Sequence, residues 1–152
     1  MTSLGLTTCT PVDLCIVENY SAQQLIVDKR RPLVIITGVH AETRLMMRCL
    51  LESWQFEVIE AQGGPDSVEA AAERHPDLIL MDATLPFDES LETMSFIKGN
   101  LPDKNVPLVV VSGFSLKDMA EAAIAHGAND YLVKPLDFVA LPDYLTSMIA
   151  RH

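Results

Sequence analysis

Asp77-Leu78-Ile79-Leu80-Met81-Asp82-Ala83-Thr84-Leu85-Pro86 is the stretch that decides how this chain folds. Its apolar run is too short for a buried helix and is bounded by Pro76 and Pro86, so Leu78 to Met81 reads as a buried strand. Asp82 then stands at the C-terminal edge of that strand. In open α/β sheets this edge gathers ligands, because the loops leaving it line a crevice between helices on the two faces.

Working outward, the same pattern recurs. Leu33 to Ile36 is a continuous apolar run expected to form a central strand buried on both faces. Phe56 to Ile59, Val106 to Val111 and Tyr131 to Val133 supply three more strands. Between them lie helical periods. Thr43, Met46, Met47, Leu50, Leu51 and Trp54 form an inward stripe, in which the Met pair is packing and Cys49 falls off the stripe as a partly exposed thiol. Gly63-Gly64-Pro65 turns into a helix with Val68, Ala71 and Ala72 inward, and Asp66 and Glu69 have capping-box spacing. His75-Pro76 should end it, since the residue before proline is pushed out of the helical region. A helix through Leu91, Met94, Phe96 and Ile97 ends near Gly99-Asn100. Ser115 is a candidate cap for one through Met119, Ala122 and Ile124, stopped by Gly127. Pro142 fits only the first turn of the last helix, because its ring would clash with the Phe138 carbonyl. That helix is therefore expected to begin at about Leu141 or Pro142, after a separate turn over Phe138 to Ala140 that buries Phe138.

Strands alternating with helices at spacings too long for hairpins imply a doubly wound α/β domain, a parallel sheet with right-handed crossovers and helices on both faces, over residues 32–152. Residues 1–31 lack a clean period and read as an N-terminal tail of uncertain order, either a plain leader or a segment that docks on the domain or a partner. With all strands parallel, Thr37 to His40, Asp82, Ser112 and Lys134 share one edge, which brings a carboxylate, a hydroxyl and an ammonium into one crevice.

The 152 residues leave room for one full core and a tail. Eleven Lys and Arg against 21 Asp and Glu give a net charge of −10, which repels nucleic acid and anionic membrane surfaces. Cys9, Cys15 and Cys49 are irregularly spaced and fit neither a disulfide framework nor a zinc site, so a reducing, cytoplasmic setting is expected. No apolar run approaches the ~20 residues of a membrane span, and no signal peptide is expected.

Three motifs resemble the response-regulator receiver domain of two-component signal transduction and phosphorelays. Pro76-Asp77 through Asp82, followed by Pro86, resembles the phospho-acceptor strand and puts the acceptor at Asp82. Val110-Val111-Ser112-Gly113 resembles the strand whose hydroxyl contacts the phosphoryl group. Gly127-Ala128-Asn129-Asp130-Tyr131-Leu132-Val133-Lys134-Pro135 is the most distinctive match, with Lys134 as the phosphate-pairing lysine and Tyr131 at the aromatic switch position. The resemblance implies a flavodoxin-like fold with a five-stranded parallel sheet.

The departure is as specific as the match. The family places two adjacent acids after the first strand, where this chain has Gly38 and Val39. Those acids hold the magnesium ion that relieves repulsion between the acceptor carboxylate and an incoming phosphoryl group. The loop after Pro86 reads Phe87-Asp88-Glu89-Ser90 where the family usually has a glycine. The leading expectation is thus a pseudo-receiver: a non-enzymatic protein-interaction module, independent of phosphorylation and of any metal or other cofactor, in which Asp82 is a relic paired with Lys134. The alternative is a magnesium-dependent phospho-acceptor phosphorylated on Asp82 by a histidine kinase, with His40, Asp88 or Glu89 rescuing the metal. A small-ligand binder using the same crevice is a third class, which no glycine-rich phosphate loop supports. The resemblance suggests an interaction face with Lys117, Asp118, Glu121 and Tyr131, for a histidine kinase, an effector or a second copy in a homodimer.

Overall fold

The computed structural model describes residues 30–84 and 86–151. The expected tail falls outside them, apart from Arg30 and Arg31. In chain order the elements are β1 (Leu33–Thr37), α1 (Ala41–Ser53), β2 (Glu57–Ala61), α2 (Gly64–Arg74), β3 (Leu78–Asp82), α3 (Phe87–Asn100), β4 (Leu108–Ser112), α4 (Lys117–Ala125), β5 (Asp130–Val133) and α5 (Leu141–Arg151). The strands form one parallel sheet in the order β2-β1-β3-β4-β5. This is the doubly wound, flavodoxin-like architecture that the alternation predicts.

β1, β3 and β4 are buried along their whole length, as their uninterrupted apolar runs require of central parallel strands. The edge strands β2 and β5 are only partly covered. Alternate side chains divide the core into two layers. Ile35, Ile79, Met81 and Val110 pack with Ala71 of α2, Met94 and Ile97 of α3 and Ala123 of α4. Val34, Ile36, Leu80, Val109 and Val111 pack with Met47 and Leu51 of α1 and with Leu145 and Met148 of α5. Polar side chains close the start of the sheet. Asp77 Oδ2 accepts from the Leu33 amide at 2.8 Å, and Asn129 Oδ1 from the Leu108 amide at 2.8 Å, each completing a strand entry that the ladder leaves open.

Several local expectations change. α2 begins at Gly64 with Pro65 in its first turn, so Asp66 lies inside the helix and forms no capping box. Ser67 and Ala71, rather than Ala72, face inward there. His75 ends α2 in the left-handed region (φ 53°), not in the extended conformation expected before proline. Leu116, not Ser115, precedes α4, and Ile124 is 49% exposed. Phe96 leaves the core because its ring lies over α2, where a Cβ on Gly64 would come within 2.9 Å of it. Met46 is 54% exposed beside the buried Met47, so the inward stripe of α1 is narrower than expected. Cys49 is free and exposed.

The last helix starts where the proline argument puts it. Asp137 Oδ1 accepts from the amides of Val139 (3.0 Å) and Ala140 (3.3 Å), forming the turn over residues 138–140, and α5 runs from Leu141. Phe138 is not buried by that turn. It is 46% exposed and leans on Trp54, with ring centroids 6.4 Å apart.

Candidate functional site

Strand register assembles the site. Thr37 pairs with Met81, so the next residues, Gly38 and Asp82, come level at the C-terminal edge. Ser112 pairs with Val133, which places Lys134 just beyond the same edge, with its amide donating to the Ser112 carbonyl at 2.8 Å. The Lys134 ammonium reaches across to Asp82, Nζ to Oδ1 at 2.9 Å. The Asp82 side chain is 9% exposed and that of Lys134 is 39% exposed. The contact is an ion pair without the directionality of a hydrogen bond, and Oδ1 accepts no hydrogen bond among the described residues. In a partly desolvated crevice coulombic attraction dominates this contact, and Lys134 is the cation that offsets the buried carboxylate.

The other positions singled out from the sequence are committed elsewhere. Ser112 is fully buried, and its Oγ accepts from the Phe114 amide at 3.0 Å, which shapes the β4–α4 loop. Tyr131 is half-buried against the α2/α3/α4 layer, and its hydroxyl donates to the Phe114 carbonyl at 2.8 Å. Tyr131 is therefore anchored inward, whereas Lys117, Asp118 and Glu121 lie exposed on α4, where Lys117 and Glu121 face each other at 3.8 Å.

Gly38 and Val39 close the opposite side of the crevice. A Cβ on Gly38 would stand 3.3 Å from Asp82 Cβ, so the glycine allows the β1–α1 loop to press against the acceptor position. Val39 is 61% exposed and presents an isopropyl group to solvent beside it. A cleft of about 80 Å³ runs between these residues and Thr84, Glu89 and Ser90. Among the described residues its carboxylates are those of Asp82 and Glu89; His40 and Asp88 do not line it. Among the described residues no group of three or more Asp, Glu, His or Cys side chains is placed to hold a metal ion. Magnesium asks for near-octahedral oxygen donors, and a glycine hydrogen and an isopropyl group offer none, so this donor set does not fit the magnesium site that an acidic pair would build.

Three features have little or no signal in the sequence. Ser90, in the stretch where the family usually has a glycine, is buried. Its Oγ accepts from the Thr84 amide (3.2 Å) and donates to the Thr84 carbonyl (3.1 Å), tying the loop after Asp82 to the first turn of α3. Arg44 Nη1 donates to the Gly38 carbonyl at 2.5 Å while its Nε donates to Glu60 at 3.3 Å, which clamps the β1–α1 loop to β2. The hydroxyl of Tyr144 on α5 donates to Asp130 Oδ2 at the start of β5. Burial, then the bond to Asp130, pushes the Tyr144 phenol above its ordinary pKa.

Known proteins agree with this architecture. The family model for the response regulator receiver domain matches residues 34–146. The transcriptional regulatory protein ZraR of Klebsiella oxytoca is 33% identical over 106 residues, covering 70% of this chain but only 24% of that protein. The polar-differentiation response regulator DivK of Brucella ovis is 33% identical over 91 residues, 60% of this chain and 74% of DivK. A response regulator from Thermotoga maritima superposes with a TM-score of 0.68 at 26% identity, covering 79% of this chain and 98% of that one. Motifs, sheet order and the placement of Asp82, Ser112, Tyr131 and Lys134 thus converge: the chain belongs to the response-regulator receiver family.

Proposed function

We propose that this is an atypical receiver, a pseudo-receiver that signals by binding a protein partner without phosphoryl transfer to Asp82. The observation that carries the reading is the crevice wall. Gly38 and Val39 flank Asp82 with no carboxylate, and Lys134 is the cation on the acceptor. Phosphoryl transfer is catalysed almost entirely by positioning and charge neutralisation, and a single lysine already committed to the carboxylate leaves an incoming phosphoryl group largely uncompensated. In this reading the module is not an enzyme and needs no metal, and its setting is cytoplasmic. Its partner, a histidine kinase or a signalling effector, meets the exposed α4 surface carrying Lys117, Asp118 and Glu121. The acidic net charge of −10 argues against nucleic acid and anionic membranes as partners, and no helix of the described residues is long and apolar enough to cross a membrane.

The second reading, a magnesium-dependent phospho-acceptor fed by a histidine kinase, draws on Glu89, the one other carboxylate lining the cleft among the described residues. Incubation with acetyl phosphate and magnesium followed by intact mass analysis separates the two. Unmodified protein is the expected result. A stoichiometric mass increase that Asp82→Asn abolishes would establish the second reading instead.

A further inference from the structure

The charged pair of the crevice also borders a second space. Between the sheet, α1 and the segment after β5 lies a cavity of about 310 Å³ with an almost wholly apolar lining. Leu80 and Val111, both buried, form its floor, and the exposed side chains of Met46 and Phe138 stand at its mouth. Among the described residues Asp82 and Lys134 are its charged lining. The volume falls at the lower end of the range for small-molecule sites, and an apolar lining with a few convergent polar groups is their usual make-up.

The polar groups specify the ligand. Asp82 Oδ1 is a buried acceptor with no hydrogen bond among the described residues, and Lys134 Nζ stands 2.9 Å away without the angle of one. A carboxylate head would add a second negative charge beside Asp82, and an ammonium head a second positive charge beside Lys134. A hydroxyl both donates and accepts, so it can donate to the Asp82 carboxylate and accept from the Lys134 ammonium with no change in net charge. The Lys134 side chain, 39% exposed, has room to swing aside and admit it. From this geometry we infer that the cavity binds a small apolar molecule bearing one neutral hydroxyl, its body between Met46 and Phe138 and its hydroxyl on the Asp82–Lys134 pair. The inference goes beyond the protein-binding reading, and neither depends on the other.

The test titrates the full chain, with methionine methyls labelled, against three probes of similar shape: cyclohexylmethanol, ethylcyclohexane and the cyclohexanecarboxylate anion. The Met46 and Met47 methyls should shift with the alcohol about tenfold more tightly than with either companion, the factor that one hydrogen bond to a charged group supplies. Asp82→Ala should erase the preference of alcohol over hydrocarbon. Met46→Trp, a change at an exposed position whose folding circular dichroism is expected to show intact, should block all three. Equal affinities, no methyl shifts, or unchanged binding in Met46→Trp would overturn the inference. So would contacts from Phe138 to residues 1–29 in place of the alcohol, which would make the chain's own leading segment the occupant.

Discussion

Lys134→Ala is the perturbation that asks most directly what the Asp82–Lys134 pair does. Removing one partner of a fully buried ion pair costs about 3–5 kcal/mol, and an exposed pair is worth about 0–1 kcal/mol. Here the carboxylate is 9% exposed and the lysine 39%, so solvent screens one side of the contact but not the other. Asp82 Oδ1 also has no hydrogen bond among the described residues to fall back on. The expected loss is therefore about 1–2 kcal/mol, or a melting temperature lower by roughly 5 °C for a domain of this size. Lys134→Met keeps the aliphatic stem and should lose nearly as much, which assigns the effect to charge rather than packing. Asp82→Asn removes the buried charge and should be mild alone and rescuing in the Lys134→Ala background. Urea unfolding followed by circular dichroism, with unchanged m-values, gives a coupling energy of about 1 kcal/mol. Additive losses in this double-mutant cycle would refute the view that the two side chains stabilise each other.

Two further outcomes follow from contacts around the site. Ser90→Ala should cost about 1–2 kcal/mol and speed amide exchange at Thr84, because the Thr84 N–H loses the buried Oγ that receives it; exchange no faster than in the parent chain would show that the loop closes without that hydroxyl. For Tyr144, the folded phenol titrates above the unfolded one, so the stabilisation is fully present below the ordinary tyrosine value of about 10. It is lost as pH rises through the folded value, where the unfolded chain has already released its proton. Tyr144→Phe should thus lower stability at neutral pH by about 1 kcal/mol and flatten its decline above pH ~10; an unchanged alkaline slope would assign that decline to other groups.

The parts of the fold legible in the sequence are those fixed by one-dimensional physics. Leu33 to Ile36, Leu78 to Met81 and, within the expected Val106 to Val111, the stretch from Leu108 are central strands because only full burial on both faces suits their apolar runs. Pro142 marks the start of α5 because its ring excludes any interior position. Side chains whose environment depends on a distant element were not legible. Phe96 carries the spacing of a core residue, yet the hydrogen-only face of Gly64 draws its ring across α2. Phe138 has the character of a core aromatic but meets Trp54 at the surface. In the site, Asp82 and Lys134 were readable from motif and edge geometry, whereas Ser90, Arg44 and Tyr144 act through tertiary hydrogen bonds that leave no periodic trace.

Gly38 and Val39 flank Asp82 without a carboxylate, and on the consequence of this for metal binding the pseudo-receiver reading stands or falls. The measurement that tests it most directly is a magnesium titration read from the Asp82 and Val39 amide shifts, in the parent chain and in Val39→Asp. Val39 is 61% exposed and admits the new carboxylate without crowding, whereas a Cβ at Gly38 would press on Asp82 at 3.3 Å. No saturable shift is expected at millimolar magnesium in the parent, and a saturable one is expected in Val39→Asp. Saturation in the parent chain, lost in Glu89→Gln, would contradict the reading.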